Sequence, residues 1–349
     1  MRIAIVTEAW FPQVNGVVRT LSTVAAILRA EGHLVEVIGP DRFRTLPCPT
    51  YPEIRLAPFP RRRLDAILRG IRPQALHIAT EGPLGLAARA WAIRRGLPFT
   101  TSFHTRFPEY LRARTGLPPG LAYAALRRFH DRAERTLVPT PSMGAALRAR
   151  GFRRVSPWTR GVDLDRFTPD RRRDWATEFD LPRPILLHVG RIAVEKNIPA
   201  FLDLDLPGSK VVVGGGPLLP ELRSRYPGVL FTGPLADAEL ASAYAGADVF
   251  VFPSVTDTFG LVVLEALASG LPVAAFDVTG PADILAGAPP EAGIVSSDLR
   301  TAVLHAASLD RERARAAARA HASRFTWSAC ARIFRDALAP FPTPAPTGS

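Results

Sequence analysis

What most constrains this chain is an alternation: short apolar runs rich in Val and Ile, each followed by a longer amphipathic stretch, recur from residue 2 to residue 275. Strands buried on both faces read as unbroken apolar runs, so the pattern predicts parallel sheets covered by helices, an α/β architecture. Two series are visible. In the first, residues 2–6 and 34–38 are strands flanking a helix over about 16–30, one complete strand-helix-strand unit, and further strands fall at 75–78, 99–102 and 135–139. In the second, strands fall at 184–189, 210–214, 228–231, 248–252 and 272–275. Helices over about 85–95, 119–132, 142–150, 236–245 and 261–268 lie among these strands, and two more, about 311–324 and 328–338, end the fold. The proline-rich stretch 43–64, with its Arg triplet, reads as an irregular exposed segment.

At 349 residues and 47% hydrophobic, the chain can bury two cores rather than one. Turn residues and charge replace periodicity across 158–173, which divides it into a domain over 1–165 and a second over 166–325; 326–340 forms a last helix and 341–349 a disordered tail. Two doubly wound domains facing a cleft are therefore expected. In such sheets ligands bind beyond the carboxyl ends of the strands, so the functional residues belong in loops that follow strands.

Charge is unevenly spread. Residues 1–165 carry 26 Arg against 12 acids, +14, whereas residues 166–349 carry 18 Lys plus Arg against 20 acids, −2. Such a field draws the first half toward polyanions, and an anionic membrane is a better fit than nucleic acid because no aromatic-basic interleaving accompanies it. No run approaches the roughly 18 apolar residues of a membrane span and the N-terminus lacks a signal peptide, so a cytoplasmic protein, peripheral at the inner membrane face, is expected. Cys48 and Cys330 stand far apart, which indicates neither a disulfide framework nor a thiolate metal site.

The strongest local signal is Asp257-Thr-Phe-Gly-Leu-Val-Val-Leu-Glu265, following the strand at 248–252. Gly260 lets the backbone approach a ligand, and with Phe259, Leu261 and Val262 it opens a helix whose amides face an anion, so the loop reads as a binder of diphosphate and sugar. Glu265, one turn in, can accept hydrogen bonds from vicinal ribose hydroxyls. After the strand at 184–189 come Arg191 and Lys196 in Gly-Arg-Ile-Ala-Val-Glu-Lys-Asn: the first suits a bidentate phosphate grip, the second a point charge on a leaving diphosphate. Alone, each would serve as well as an ordinary surface charge; their place after a strand singles them out. Gly215 and Gly216, in Val-Gly-Gly-Gly-Pro, permit another close approach.

In the first half, Asn15 and Gly16 join the first strand to the first helix, where the Gly16 amide could meet a donor phosphate. The stretch is not a GxGxxG fingerprint, and no dinucleotide cofactor is expected. His104, in Ser-Phe-His-Thr after a strand, could bond a sugar hydroxyl or assist proton transfer, and Glu81, in Thr-Glu-Gly-Pro, is a candidate for acceptor binding. GxSxG, HExxH, Walker loops and zinc-spaced Cys/His sets are absent, and no DxD-like acidic pair is suited to a bound divalent ion, so no metal and no cofactor are expected.

Taken together, Asn-Gly-Val at 15–17, Ser-Phe-His-Thr, Gly-Arg with Glu-Lys-Asn, Val-Val-Val-Gly-Gly-Gly-Pro and Asp-Thr-Phe-Gly-Leu-Val-Val-Leu-Glu resemble glycosyltransferase family 4, retaining enzymes of GT-B fold. The resemblance implies two Rossmann-like domains, the second binding the nucleotide and the first the acceptor, with the last helix crossing back to the first. It matches Arg191 and Lys196 to the diphosphate-binding pair, Glu265 to the second acid of an E-x7-E motif, Gly16 to the donor-contacting loop and His104 to the His near the transferring sugar. Asp257 stands, one methylene shorter, where the family commonly has a Glu that faces the donor sugar, which matches it to a catalytic position. Thr-Glu-Ala-Trp-Phe-Pro-Gln-Val-Asn-Gly-Val, Thr-Glu-Gly-Pro-Leu-Gly and Phe-His-Thr-Arg-Phe-Pro-Glu-Tyr are similar to lipid glycosyltransferases and GDP-mannose-dependent α-mannosyltransferases. That implies metal-independent hexosyl transfer, mannose or glucose in type, from a GDP-mannose or UDP-hexose donor to a membrane-associated lipid or glycan. A sugar-nucleotide 2-epimerase of the same fold is the alternative, and a basic nucleic-acid-binding protein a more distant one.

Overall fold

The computed structural model describes residues 1–342 other than 49–50, 110–111, 113–115, 117 and 172. The disordered tail expected over 341–349 is contradicted at its start: Phe341 is held, its N–H donating to the Gln74 carbonyl at 2.7 Å and its ring lying beside Trp91, while 343–349 lie outside the described residues. The chain divides into two compact units, Met1–Thr159 with the segment from Trp327 onward, and Arg160–Thr326.

In the first unit, β1 (Arg2–Val6), β2 (Leu34–Ile38), β5 (Ala75–Ile78), β6 (Thr100–Ser102), β7 (Arg135–Val138) and β8 (Val155–Pro157) form one sheet in the order β2-β1-β5-β6-β7-β8, every pairing parallel. Its middle strands are buried on both faces, as their unbroken apolar runs require. The helix Gly16–Ala30 lays Leu21, Val24 and Leu28 on one face of the sheet, where Ala331 and Phe334 of the Trp327–Ala337 helix join the same core. The last helix therefore belongs to the first unit, with the Trp158 indole donating to the Cys330 carbonyl at 3.0 Å.

The stretch 43–64 departs from its expected irregularity. β3 (Leu46–Cys48) and β4 (Tyr51–Leu56) pair antiparallel as a separate hairpin, and a helix over Arg61–Ile71 follows. A two-stranded hairpin off the main sheet has edges on both sides, where proline costs no ladder bond.

In the second unit, β9 (Ile185–Val189), β10 (Ser209–Val213), β11 (Leu230–Gly233), β12 (Val249–Phe252), β13 (Val273–Phe276) and β14 (Gly293–Ser296) run parallel in the order β11-β10-β9-β12-β13-β14. Counted from β9, that is the order 3-2-1-4-5-6 of a nucleotide-binding fold. Successive crossovers leave β9 in opposite directions, so the loops after β9 and β12 diverge and open a crevice at the carboxyl edge.

Candidate functional site

The crevice of the second unit collects most of the residues singled out above. After β9 the chain passes Arg191, turns through a short 3-10 segment at Val194–Lys196 and exits through Asn197, which holds a left-handed φ of 52°. After β12 it runs through Asp257 to Gly260, whose φ of 93° caps the helix Leu261–Ala268.

Five side chains tie these loops together. The Lys196 ammonium donates to both oxygens of Asp257, at 2.6 and 2.8 Å, with about a fifth of each side chain or less exposed. Asn197 donates to the Pro253 carbonyl at 3.1 Å, and the hydroxyls of Ser254 and Thr256 donate to the Glu195 carbonyl at 3.3 and 3.1 Å. The cation thus pairs with Asp257, which lies three residues before Gly260. A paired ammonium in a half-buried crevice is a pre-placed positive charge, ready to meet an anion without reorganisation.

Glycine is required where these loops touch. A Cβ on Gly214 would sit 1.9 Å from the Gly190 carbonyl oxygen and one on Gly216 2.3 Å from that of Ile192, and both glycines have positive φ. The loop after β10 is zipped to that after β9 by Ile192 N donating to Gly215 O at 2.9 Å and Leu218 N to Ile192 O at 3.1 Å. Gly214 and Gly216 are therefore the glycines this crevice wall requires, whereas Gly215 would accept a Cβ and takes part through its carbonyl. Phe259 is buried under the Arg160 guanidinium, and Leu261 and Val262 are half-buried in the first turn of the helix.

Glu265 is 4% exposed, and its Oε2 accepts from the Tyr244 hydroxyl at 2.9 Å. Tyr244 lies on the helix Asp237–Gly246, whose apolar periodicity carries no hint of a polar partner. Nor could sequence single out His188 on β9. It is fully buried, and its Nδ1 lies 3.0 Å from the Val251 carbonyl, so Nδ1 carries the proton of a neutral ring. Burial, helped by the nearby Lys196 ammonium, pushes its pKa down to about 4.

That shift predicts a pH dependence. The unfolded chain binds this proton near pH 6.5 and the folded chain only near 4, so stability is complete above 6.5 and falls as pH drops through this window. The loss expected is on the order of 3 kcal/mol. Thermal melts between pH 7 and 4 should show a steeper decline in wild type than in His188→Gln; parallel curves would refute it.

In the first unit, the remaining residues line the carboxyl ends of three adjacent strands. Asn15 follows β1 and caps the first helix, its Oδ1 accepting from Val17 N and Val18 N at 3.0 Å each, with Gly16 as the first helical residue. Glu81 follows β5, its Oε1 3.1 Å from Nε2 of the buried His130. His104 follows β6, its Nε2 2.8 Å from the Ser102 hydroxyl and its ring edge-on to Trp158. Sequence reasoning missed Glu8, which joins two of these loops. Its buried carboxylate accepts from the Thr80 hydroxyl and, at 2.5 Å, from Leu84 N at the start of the helix Pro83–Arg94; burial pushes its pKa up.

Comparisons with known proteins identify the family and the fold. Residues 14–166 match Glycosyltransferase Family 4, and residues 183–308 match Glycosyl transferases group 1. The GDP-mannose-dependent alpha-mannosyltransferase of Mycolicibacterium smegmatis is 37% identical over 315 residues, covering 82% of each chain. The alpha-monoglucosyldiacylglycerol synthase of Streptococcus pneumoniae is 28% identical over 79% of this chain and 71% of that protein. Among solved structures, sucrose-phosphate synthase from Thermosynechococcus elongatus superposes with a TM-score of 0.74 at 21% identity, covering 96% of this chain and 98% of that one, which supports the fold.

Proposed function

Because the chain belongs to glycosyltransferase family 4, we propose that it moves a hexose, mannose or glucose in type, from a nucleoside diphosphate sugar to a membrane-associated lipid or glycan, with retention of configuration and without a metal. The observation that carries this reading is the Lys196 ammonium at the switch point of the 3-2-1-4-5-6 sheet, paired with Asp257 in the loop that leads to the Gly260 turn.

In this reading Arg191 and Lys196 hold the diphosphate, the turn Phe259 to Val262 approaches it with backbone amides, Gly215 and Gly216 give it room, and Glu265 takes the ribose hydroxyls. As the bond from the anomeric carbon to the phosphate oxygen breaks, negative charge grows on that oxygen and the two cations stabilise it, the task a divalent ion performs elsewhere. The acceptor hydroxyl attacks the same face and passes its proton to the departing phosphate oxygen. Little is left for a protein base, and His104 serves to hold the sugar. Asp257 orients Lys196, Asn15 and Glu81 bind the acceptor, and Gly16 offers its amide to the donor.

Two features favour a membrane-held acceptor. The first half of the chain carries +14, and Phe59, 96% exposed, lies two residues before a helix that opens on exposed Arg61, Arg62 and Arg63. No helix among the described residues is long and apolar enough to cross a membrane.

Incubation with labelled GDP-mannose or UDP-glucose and a bacterial lipid extract should move label into the organic phase, with equal yield when a chelator is present. Label that stays water-soluble with every donor would refute the reading, and loss of transfer on chelation would refute metal independence.

A further inference from the structure

At the opposite edge of the second sheet, before the strands rather than after them, lies a cavity of about 300 Å³. It is bounded by the residues that enter β9, β12 and β13 and by the start of the helix Arg311–Ala322. Four charged side chains line it: Arg183, Arg311, Arg315 and Asp248. The Asp248 carboxylate is fully engaged. It accepts from Arg183 Nη1 at 2.7 and 2.8 Å and from Ile185 N at 2.8 Å, and Arg311 Nη2 lies 3.2 Å away.

Arg315 is the odd member. Only 8% of the residue is exposed, yet its Nε and Nη1 are buried with no hydrogen-bond partner. A guanidinium cannot shed its proton, so burying one without acceptors is costly. One turn along the same helix, Arg319 shows the structural alternative, donating to the carbonyls of Phe167, Ala268 and Leu164. The room for Arg315 is also built in: a Cβ on Gly270, at φ 80°, would fall 2.6 Å from its Cγ.

We infer that this cavity is a binding site for a small phosphate-bearing anion, with the Arg315 fork as its anchor. Three guanidiniums against one carboxylate leave a charge of +2, which complements the nearly dianionic phosphate or phosphomonoester at neutral pH. The planar fork suits two phosphate oxygens at once. The site is separate from the crevice at the other end of the strands, roughly 15 Å away by strand length, and does not depend on the proposed transferase reading.

The test is a thermal melt of the full chain in sodium phosphate against sodium chloride of equal ionic strength. Phosphate should raise the wild-type Tm saturably, by roughly 2–4 °C. In Arg315→Leu the rise should vanish, the variant should melt no lower than wild type without phosphate, and stabilisation by GDP should be unchanged. Arg311→Gln, whose parent side chain is 42% exposed, should fold and need more phosphate for the same rise. A parallel titration with glycerol 3-phosphate identifies the source: a stronger response marks an esterified phosphate, a weaker one the free ion. No phosphate effect in wild type, an equal effect in Arg315→Leu, or a variant that melts far below wild type or fails to fold would each overturn the inference.

Discussion

Replacing Lys196 with alanine is expected to lower kcat about 10²- to 10³-fold, the scale on which removal of one preorganised charge-stabilising group acts. The ammonium sits between the loops after β9 and β12 and is already held by Asp257, so its position costs nothing to establish when charge develops on the departing phosphate. The substitution also leaves the half-buried Asp257 carboxylate without its cation, which should cost about 1–3 kcal/mol of stability and leave the fold intact. Steady-state transfer rates beside a melting curve separate the two effects. A folded Lys196→Ala protein with near-wild-type turnover would remove the residue from the chemistry.

The second large effect is expected at Glu265. A hydrogen bond to a charged group is worth about 1.5–3 kcal/mol, so Glu265→Ala should lose roughly tenfold to a hundredfold in kcat/KM for the donor, chiefly through KM. The same change removes a hydrogen bond from the buried Tyr244 hydroxyl, which would depress stability even if the carboxylate touched no substrate. Tyr244→Phe distinguishes the cases: it removes the bond to Glu265 while leaving the carboxylate in place. If donor KM stays near wild type in Glu265→Ala, the ribose role is wrong and the residue is an internal partner of Tyr244.

Much of the architecture could be read from the residues because buried parallel strands announce themselves: 2–6, 34–38 and 75–78 are apolar runs with nowhere else to go. The missed strands lacked that signal. β8 is three residues ending in proline, β14 is half-buried along its length, and β3 and β4 sit in a proline-rich stretch and pair only with each other. The loops of the crevice were legible because glycine and charge follow directly on an apolar run. What joins them was not. Asn197, Ser254, Thr256 and Tyr244 act through partners 21 to 61 residues away, and that proximity exists only once the sheet order is known. Arg315 was equally invisible, one arginine among several on an amphipathic helix, until burial set it apart.

The discontinuity of the first unit has a consequence for how the protein is made. The second unit is one uninterrupted stretch that can complete its core as soon as residue 326 has emerged from the ribosome. The first unit waits longer. Until the helix Trp327–Ala337 is delivered, Leu21, Val24 and Trp158 present an apolar face to the solvent, with the Trp158 indole lacking its acceptor. The half of the protein translated first is thus the last to close, and its unfinished face is what a chaperone would meet.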